Sequence, residues 1–328
     1  RLAVGVEYTD QEHKVTQGNA TRISNPETVT TNNGRDIQSV FAEVFVPLLG
    51  MDSPVGGLDL SVSGRYDDYS DIGSTSNPKV GFNWLPLDEL VIRGNWGTSF
   101  QAPSVADSAN SVDERAQFLP ISPFRADDAG PLDVIRPTII IAGGSDDLEP
   151  EEADTWSLGF DWQPDYIDMF KASATYYNVD YENAIVVTPF FEPYFFDLES
   201  FEDVYIINPT LEEAQAFLDG LRYDGFTSLE DLYASGRSPY LLTSARRINL
   251  GNIETTGIDY NISKAWNVSN MTIVGGVAGN YILTRDSQPV DGGETIDELD
   301  EGLVNRVNVS VNLGAYYDRY SAMLTTYY

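Results

Sequence analysis

The chain has 328 residues, and its 19 Lys and Arg against 51 Asp and Glu give a formal net charge of −32, which leaves no basic footprint for nucleic acid. It has no cysteine and one histidine, His13, which excludes disulfides, thiolate chemistry and multi-histidine metal centres. No run reaches the roughly 18 apolar residues of a membrane helix, yet aromatic residues make up 12% of the chain beside 27 glycines, a composition of soluble β domains and transmembrane β-barrels alike.

Alternation of apolar and polar residues predicts eleven strands, at roughly 1–9, 36–48, 57–67, 77–86, 89–99, 151–163, 167–180, 247–264, 268–284, 303–317 and 320–328. Within 57–67, Leu58, Leu60, Val62 and Tyr66 alternate with Asp59, Ser61, Arg65 and Asp67. Val80, Phe82 and Trp84 then alternate with Lys79, Gly81 and Asn83. In 151–163, Trp156, Leu158, Phe160 and Trp162 share one face. A helix with these patterns would be apolar all round, so strands are the reading. The connections alternate in length. Those at 10–35, 100–150, 181–246 and 285–302 are long, and 68–76 is shorter. The intervening ones are turns of a few residues. A transmembrane meander sorts its connections in this way, short at the periplasmic end and long outside. A soluble sandwich has no reason to.

The 181–246 connection carries two helix signals. Thr210-Leu211-Glu212-Glu213 is a capping box with Gly220 as its stop, and Ser228 starts a second short helix ending near Gly236. Its aromatic stretch holds Phe190, Phe191, Tyr194, Phe195 and Phe196, which offer rings for stacking on a flat ligand or for packing beneath the helices. Catalysis finds no footing: His13 stands alone in a polar segment, and there is no Gly-rich phosphate loop and no G-x-S-x-G. Asp67, Asp68 and Asp71 offer oxygen ligands but lack the spacing of a full calcium loop, so no metal or cofactor is assigned. Glu43, Arg65 and Arg93 fall on the polar sides of their strands, where a wet barrel lumen would tolerate charge that lipid would not.

Residues 57–103 carry further motifs. Arg65, Asp67, Tyr69, Ser70 and Gly73 precede Asn77, Pro78 and Lys79; Trp84 and Pro86 follow, then Arg93, Gly94, Phe100, Ala102 and Pro103. Three later blocks join them: Leu148-Glu149-Pro150-Glu151-Glu152 with Gly159; Tyr176, Tyr177, Asn178, Tyr181, Asn183 and Ile185; and Asn252, Gly257 and Asp259. In order and spacing these blocks resemble the barrel of TonB-dependent outer-membrane receptors. The resemblance implies an all-β fold, an antiparallel transmembrane β-barrel meander. The eleven strands would be part of a larger plugged barrel of roughly 22. Residues 1–328 would form one barrel domain with long extracellular loops at 100–150 and 181–246. It implies a fragment from the C-terminal part of that barrel, without the plug.

By the same resemblance the function is capture of a scarce nutrient, such as a siderophore or a carbohydrate, and its active import, with no enzyme chemistry. The partners implied are TonB with ExbB and ExbD through the plug, outer-membrane lipid and a small nutrient ligand. The location implied is the outer membrane of a Gram-negative bacterium. Two alternatives stay open at this point: a passive porin-like barrel and a soluble acidic all-β binding domain.

Overall fold

The structure, a computed structural model, describes residues 1–18, 28–107, 115–119, 137–145, 148–188, 190, 196, 204–225, 227–288 and 295–328. The chain opens with β1 (Leu2–Gly18), β2 (Thr28–Leu49), β3 (Gly57–Tyr69), β4 (Gly73–Leu87) and β5 (Leu90–Gln101). A long connection with β6 (Arg115–Leu119) and β7 (Thr138–Ala142) leads to β8 (Glu151–Trp162) and β9 (Phe170–Glu182). The next connection carries β10 (Ala184–Val187), β11 (Tyr205–Ile207), α1 (Leu211–Phe217), β12 (Arg222–Asp224), α2 (Leu229–Ala234), β13 (Leu241–Ser244) and β14 (Arg247–Leu250). The chain closes with β15 (Asn252–Val268), β16 (Met271–Gln288), β17 (Ile296–Asp297), β18 (Val307–Tyr317) and β19 (Tyr320–Tyr327).

Eleven of these strands form one antiparallel wall in the order β1-β2-β3-β4-β5-β8-β9-β15-β16-β18-β19, with β17 beside β16. Short turns lie at one end. The Ser269 and Asp318 turns have φ of 56° and 51°, the left-handed backbone that tight hairpins require. The long connections all leave from the other end.

Because side chains alternate across a pleated sheet, register defines the two faces. Leu2, Val44, Val62, Val80, Trp96 and Trp156 are successive cross-strand neighbours. All six are exposed. On the opposite face Arg93, Gly159, Thr175, Asp259, Asn280 and Asn308 form the matching row. A sheet in water would bury the first row; here it is the polar row whose side chains bond to each other. Aromatic residues interlock with glycines on neighbouring strands. A Cβ on Gly257 would run into the Tyr177 ring, and one on Gly94 into the Phe82 ring, so both rings lie flat across the adjacent strand.

The apolar face ends abruptly at the long-loop end. Asp154, Asp180, Glu254, Asp286 and Asp297 are successive neighbours across five strands. Like charges directly opposite one another are destabilising even in water, and far more so in hydrocarbon. Trp96 donates its indole N–H to the Asp154 carboxylate at 2.9 Å, joining the aromatic belt to this acidic rim.

The two longest connections fold together. β11, β13, β7, β6 and β12 form a second sheet in that order, with β13–β7 and β12–β6 parallel. Both parallel pairings join one connection to the other. One face packs under the helices, with Ala116, Ile139, Ile141 and Leu242 of the sheet against Ala214, Leu218, Leu229 and Leu232. The other face buries Ile140, Tyr240 and Leu241 with Phe190 and Phe196. The run Ile139-Ile140-Ile141 thus divides between two cores, which is why it is apolar without interruption.

Both predicted helices are present with the predicted caps. The Thr210 hydroxyl accepts from the Glu213 N–H at 3.2 Å, while the Glu213 carboxylate accepts from the Thr210 N–H at 2.7 Å; Ser228 caps α2. The Thr210 backbone N–H and then its hydroxyl hold the Glu213 carboxyl below the usual carboxylate range. Burial pushes the Tyr223 and Tyr233 phenols up to about 12.

Three expectations change. The 10–35 stretch is not a loop from end to end, because the β1–β2 ladder continues from Asp10–Asp36 to Gly18–Thr28. Its residues are mostly polar on both faces, so no apolar alternation marks it. The predicted 247–264 strand is two: β14 pairs with β10, whereas β15 enters the wall. The short strands of the apical sheet were not foreseen at all.

Candidate functional site

On the polar face of the wall, arginines reach over intervening strands. Arg65 on β3 donates its Nε to Asp67 at 2.8 Å and its Nη2 to Ser39 at 2.9 Å. It also crosses β2 to reach Glu7 of β1 at 3.1 Å. Arg93 on β5 donates to Asp161 at 2.9 Å and, across β8, to Thr175 of β9 at 2.7 Å. Asn280 bonds Asp259 at 2.6 Å and the Tyr177 hydroxyl, two strands away, at 2.8 Å. Glu43 lies on the same face, exposed and opposite Ser63. Arg65 and Arg93 are each about 40% exposed in their side chains, so these pairs add little to stability and chiefly keep the face ordered and polar.

The motif residues lead up to the mouth. Asn77 accepts from the Thr98 hydroxyl at 3.5 Å, Pro78 pairs with Gly64, and Lys79 lies across Gly97. Phe100 packs on Tyr69 with ring centroids 5.5 Å apart. Pro103 accepts a hydrogen bond from the Arg35 guanidinium. That bond ties the segment leaving β5 back onto the β1–β2 hairpin.

Between the hairpin and this segment lies a cavity of about 410 Å³, lined by Gln11, Glu12, His13, Arg35, Ile37, Tyr69 and residues 102–106. Arg35 is its most buried polar group, only 5% exposed. Its Nε has no hydrogen-bond partner among the described residues and lies 3.6 Å from the Asp71 carboxylate, an ion pair too long for a hydrogen bond. Its guanidinium lies 5.9 Å from the centroid of the Tyr69 ring.

The roots of the two long connections are joined beside the mouth. Arg247 pairs with Asp107 at 2.6 Å, and the Ser145 N–H bonds the Asp107 carbonyl. Asn249 donates to the carbonyls of Glu149 and Asn183 at 2.8 and 2.7 Å. The Glu151 carboxylate accepts from the Ile185 N–H at 2.7 Å.

The predicted aromatic contacts need correction. Phe190 and Phe196 are 5% and 6% exposed and sit in the lower core of the apical sheet, where Phe196 meets Tyr205 edge-on, so neither presents a ring to a ligand. Phe191, Tyr194 and Phe195 lie outside the described residues. Asp67 and Asp71 are committed to arginines, and no cluster that could hold a metal occurs among the described residues. Arg35, Gln11 and Ser104 were missed, since nothing in a polar stretch marks which residues turn inward; the position of Arg35 two residues before Ile37 on the strand was the one available signal.

The profile of the family described as TonB dependent receptor-like, beta-barrel matches residues 1–328, so the chain belongs to that family. Among solved structures it resembles a mutant ferric enterobactin receptor of Pseudomonas aeruginosa in complex with enterobactin, at TM-score 0.57 and 13% identity, covering 99% of this chain and 38% of that one. It also resembles the siderophore receptor PirA of Acinetobacter baumannii, at TM-score 0.50 and 13% identity, covering 97% of this chain and 41% of that one. At such identities the likeness establishes the fold alone, and the chain spans about two fifths of each receptor. No curated protein matches it.

Proposed function

We propose that this chain is part of the wall and mouth of an outer-membrane receptor that captures a scarce nutrient and passes it inward by TonB-coupled transport. The observation that carries the reading is the two-faced wall. An exposed apolar face fits lipid, and a hydrogen-bonded polar face fits a wet lumen in which Glu43, Arg65 and Arg93 face a plug. The fold of the structural neighbours and the family membership support it. On this reading the carboxylate rim marks the outer water boundary, the apical sheet stands outside the cell, and wall and apical sheet act as one domain. TonB, with ExbB and ExbD, acts on the plug of the complete receptor. The work is binding and gated passage, with no covalent chemistry.

The test is transport by the complete gene product in a Gram-negative host. Expected are a heat-modifiable outer-membrane protein and nutrient uptake that stops when TonB is deleted. Uptake indifferent to TonB would replace active transport with a passive pore. Recovery of the protein wholly in the aqueous fraction would overturn the membrane reading.

A further inference from the structure

We propose that the apolar face of the wall carries a seat for one phospholipid of the periplasmic leaflet, with its phosphate on Lys264 and an acyl chain in the groove beside Trp162; the proposal rests on the membrane reading above.

Register places the cation. Ile262 and Val277 are cross-strand neighbours on the apolar face, so Lys264, two residues beyond Ile262, lies on that face too, opposite Phe170 of β9 and Gly275 of β16. Among the described residues it is the one cation on that face between the short turns and the carboxylate rim; Arg65, Arg93 and Lys171 are all on the polar face. Phe170 is the first residue of β9, so Lys264 stands close to the turn end of the wall. A lysine facing lipid lays its stem along apolar surface and carries its charge to the headgroups. No carboxylate among the described residues forms an ion pair with it, and its Nζ lies 5.9 Å from the centroid of the Trp266 ring.

The groove lies beside it. Leu90, Ile92, Phe160 and Trp162 line an open hollow of about 340 Å³ on the same face. The next strand presents only methyl groups there, Ala172 opposite Trp162 and Ala174 opposite Phe160, so the surface stays low on that side. Phe170 meets Trp162 edge-on with ring centroids 5.7 Å apart and links the groove to Lys264. Two strands separate Trp162 from Lys264, roughly 10 Å at about 4.8 Å per strand, a distance one diacyl lipid bridges.

These parts select the occupant. The groove offers hydrocarbon to hydrocarbon, and the cation at its edge calls for an anion, so the ligand carries a chain and a phosphate on one molecule. The opposite end of the same face closes with Asp154, Asp180 and Glu254, which repel phosphate. That contrast assigns the seat to the leaflet at the turn end. The turn before β9 adds the exposed Asp165 and Asp168 on the water side of Phe170, which suit a headgroup with an ammonium beyond its phosphate.

The experiment uses the complete receptor in detergent, titrated with dioleoyl phosphatidylethanolamine and read by native mass spectrometry. Dioleoylglycerol, which has the chains without the phosphate, and inorganic phosphate alone are the comparison probes. One phospholipid is expected to bind more tightly than either. Lys264→Gln should weaken it about tenfold, the size of one charge-assisted hydrogen bond, and Lys264→Arg should keep it. Lys171→Gln, which removes the neighbouring charge from the polar face, should leave it unchanged. Trp162→Ala should weaken it about five- to tenfold; if that variant misfolds, the Lys264 pair carries the test. Equal effects of Lys264→Gln and Lys171→Gln would overturn the seat. Dioleoylglycerol bound as tightly as the phospholipid would remove the phosphate from it, and inorganic phosphate bound as tightly would remove the chain; either overturns the proposal. Any of these failures in a protein that still fractionates with the outer membrane leaves the membrane reading intact, whereas recovery in the aqueous fraction would sink both.

Discussion

In the wall, outward residues such as Trp156, Leu158 and Phe160 are apolar and exposed; in the apical sheet, three isoleucines in a row are buried on both faces. The same strand chemistry therefore serves two solvents. Trp156, Leu158 and Phe160 are 40–50% exposed because lipid is the medium that takes up their surface, while Ile139, Leu241 and Leu242 are almost wholly excluded because water surrounds the sheet that carries them. The wall needs little buried core, since ladder bonds run from strand to strand and satisfy the backbone. The apical sheet depends on its two small cores, and each core draws residues from both connections. A lesion in one connection should therefore be felt in the other, whereas a lesion in the wall should depend on which face it touches.

The largest effect should come from Leu242→Asp, which places an unpaired charge at a fully buried position shared by β7, β13 and the helices. A loss of about 4 kcal/mol or more is expected for the apical unit. Limited proteolysis should then cut within both 102–150 and 183–251 while the wall stays heat-modifiable. Cutting confined to 183–251 would show that the two connections do not fold as one.

Next comes the face test on β16. Val277 lies on the apolar face between Ile262 and Val311. Val277→Arg should cost about 2–4 kcal/mol in a folding titration in lipid vesicles. Ala278→Ser, one residue on and facing the polar side, should stay within about 0.5 kcal/mol. Equal costs would abolish the assignment of the two faces.

Smaller effects come from local bonds. Thr210→Ala removes the cap of α1 and should lower apical stability by about 1 kcal/mol, with the wall unaffected. Arg93→Met breaks the contacts to Asp161 and Thr175 in a partly hydrated setting. It should change wall stability by less than about 1 kcal/mol, measurable as a small shift in urea midpoint. A larger loss would mean that the polar face contributes to stability far more than its exposure suggests.

The contrast also explains what the sequence made legible. Each membrane strand sees two media, so its faces differ and period two is written into residues such as Trp156 through Trp162. Above the rim the residues of both faces are mostly polar, and the outer β1–β2 hairpin, with Gln11-Glu12-His13-Lys14, carries no such trace. The apical strands are 3–5 residues long and pair in parallel with a distant segment. Neither fact leaves a local pattern, so Ile139-Ile140-Ile141 stayed unassigned while the helix caps at Thr210 and Ser228, which are local, were readable. The candidate site suffered most. Arg35 becomes a cavity residue only because Pro103, far along the chain, folds back over it, and Phe190 and Phe196 look like ligand contacts until the second core is seen to need them.

The smallest effect separates the two regions by pH. Hydrogen bonds from Thr210 lower the Glu213 carboxyl below 4.5, its ordinary value. A carboxylate with a lowered folded pKa contributes stability that is complete above the unfolded value and is lost as pH falls through the folded one. The apical unit should therefore loosen below about pH 4.5, seen as proteolysis of its connections with the wall intact. Glu213→Gln keeps an acceptor for the Thr210 N–H but has nothing to protonate, so its acid limb should be flatter while its behaviour at neutral pH is nearly unchanged. An acid limb identical to that of the parent would move the sensitivity away from the α1 cap.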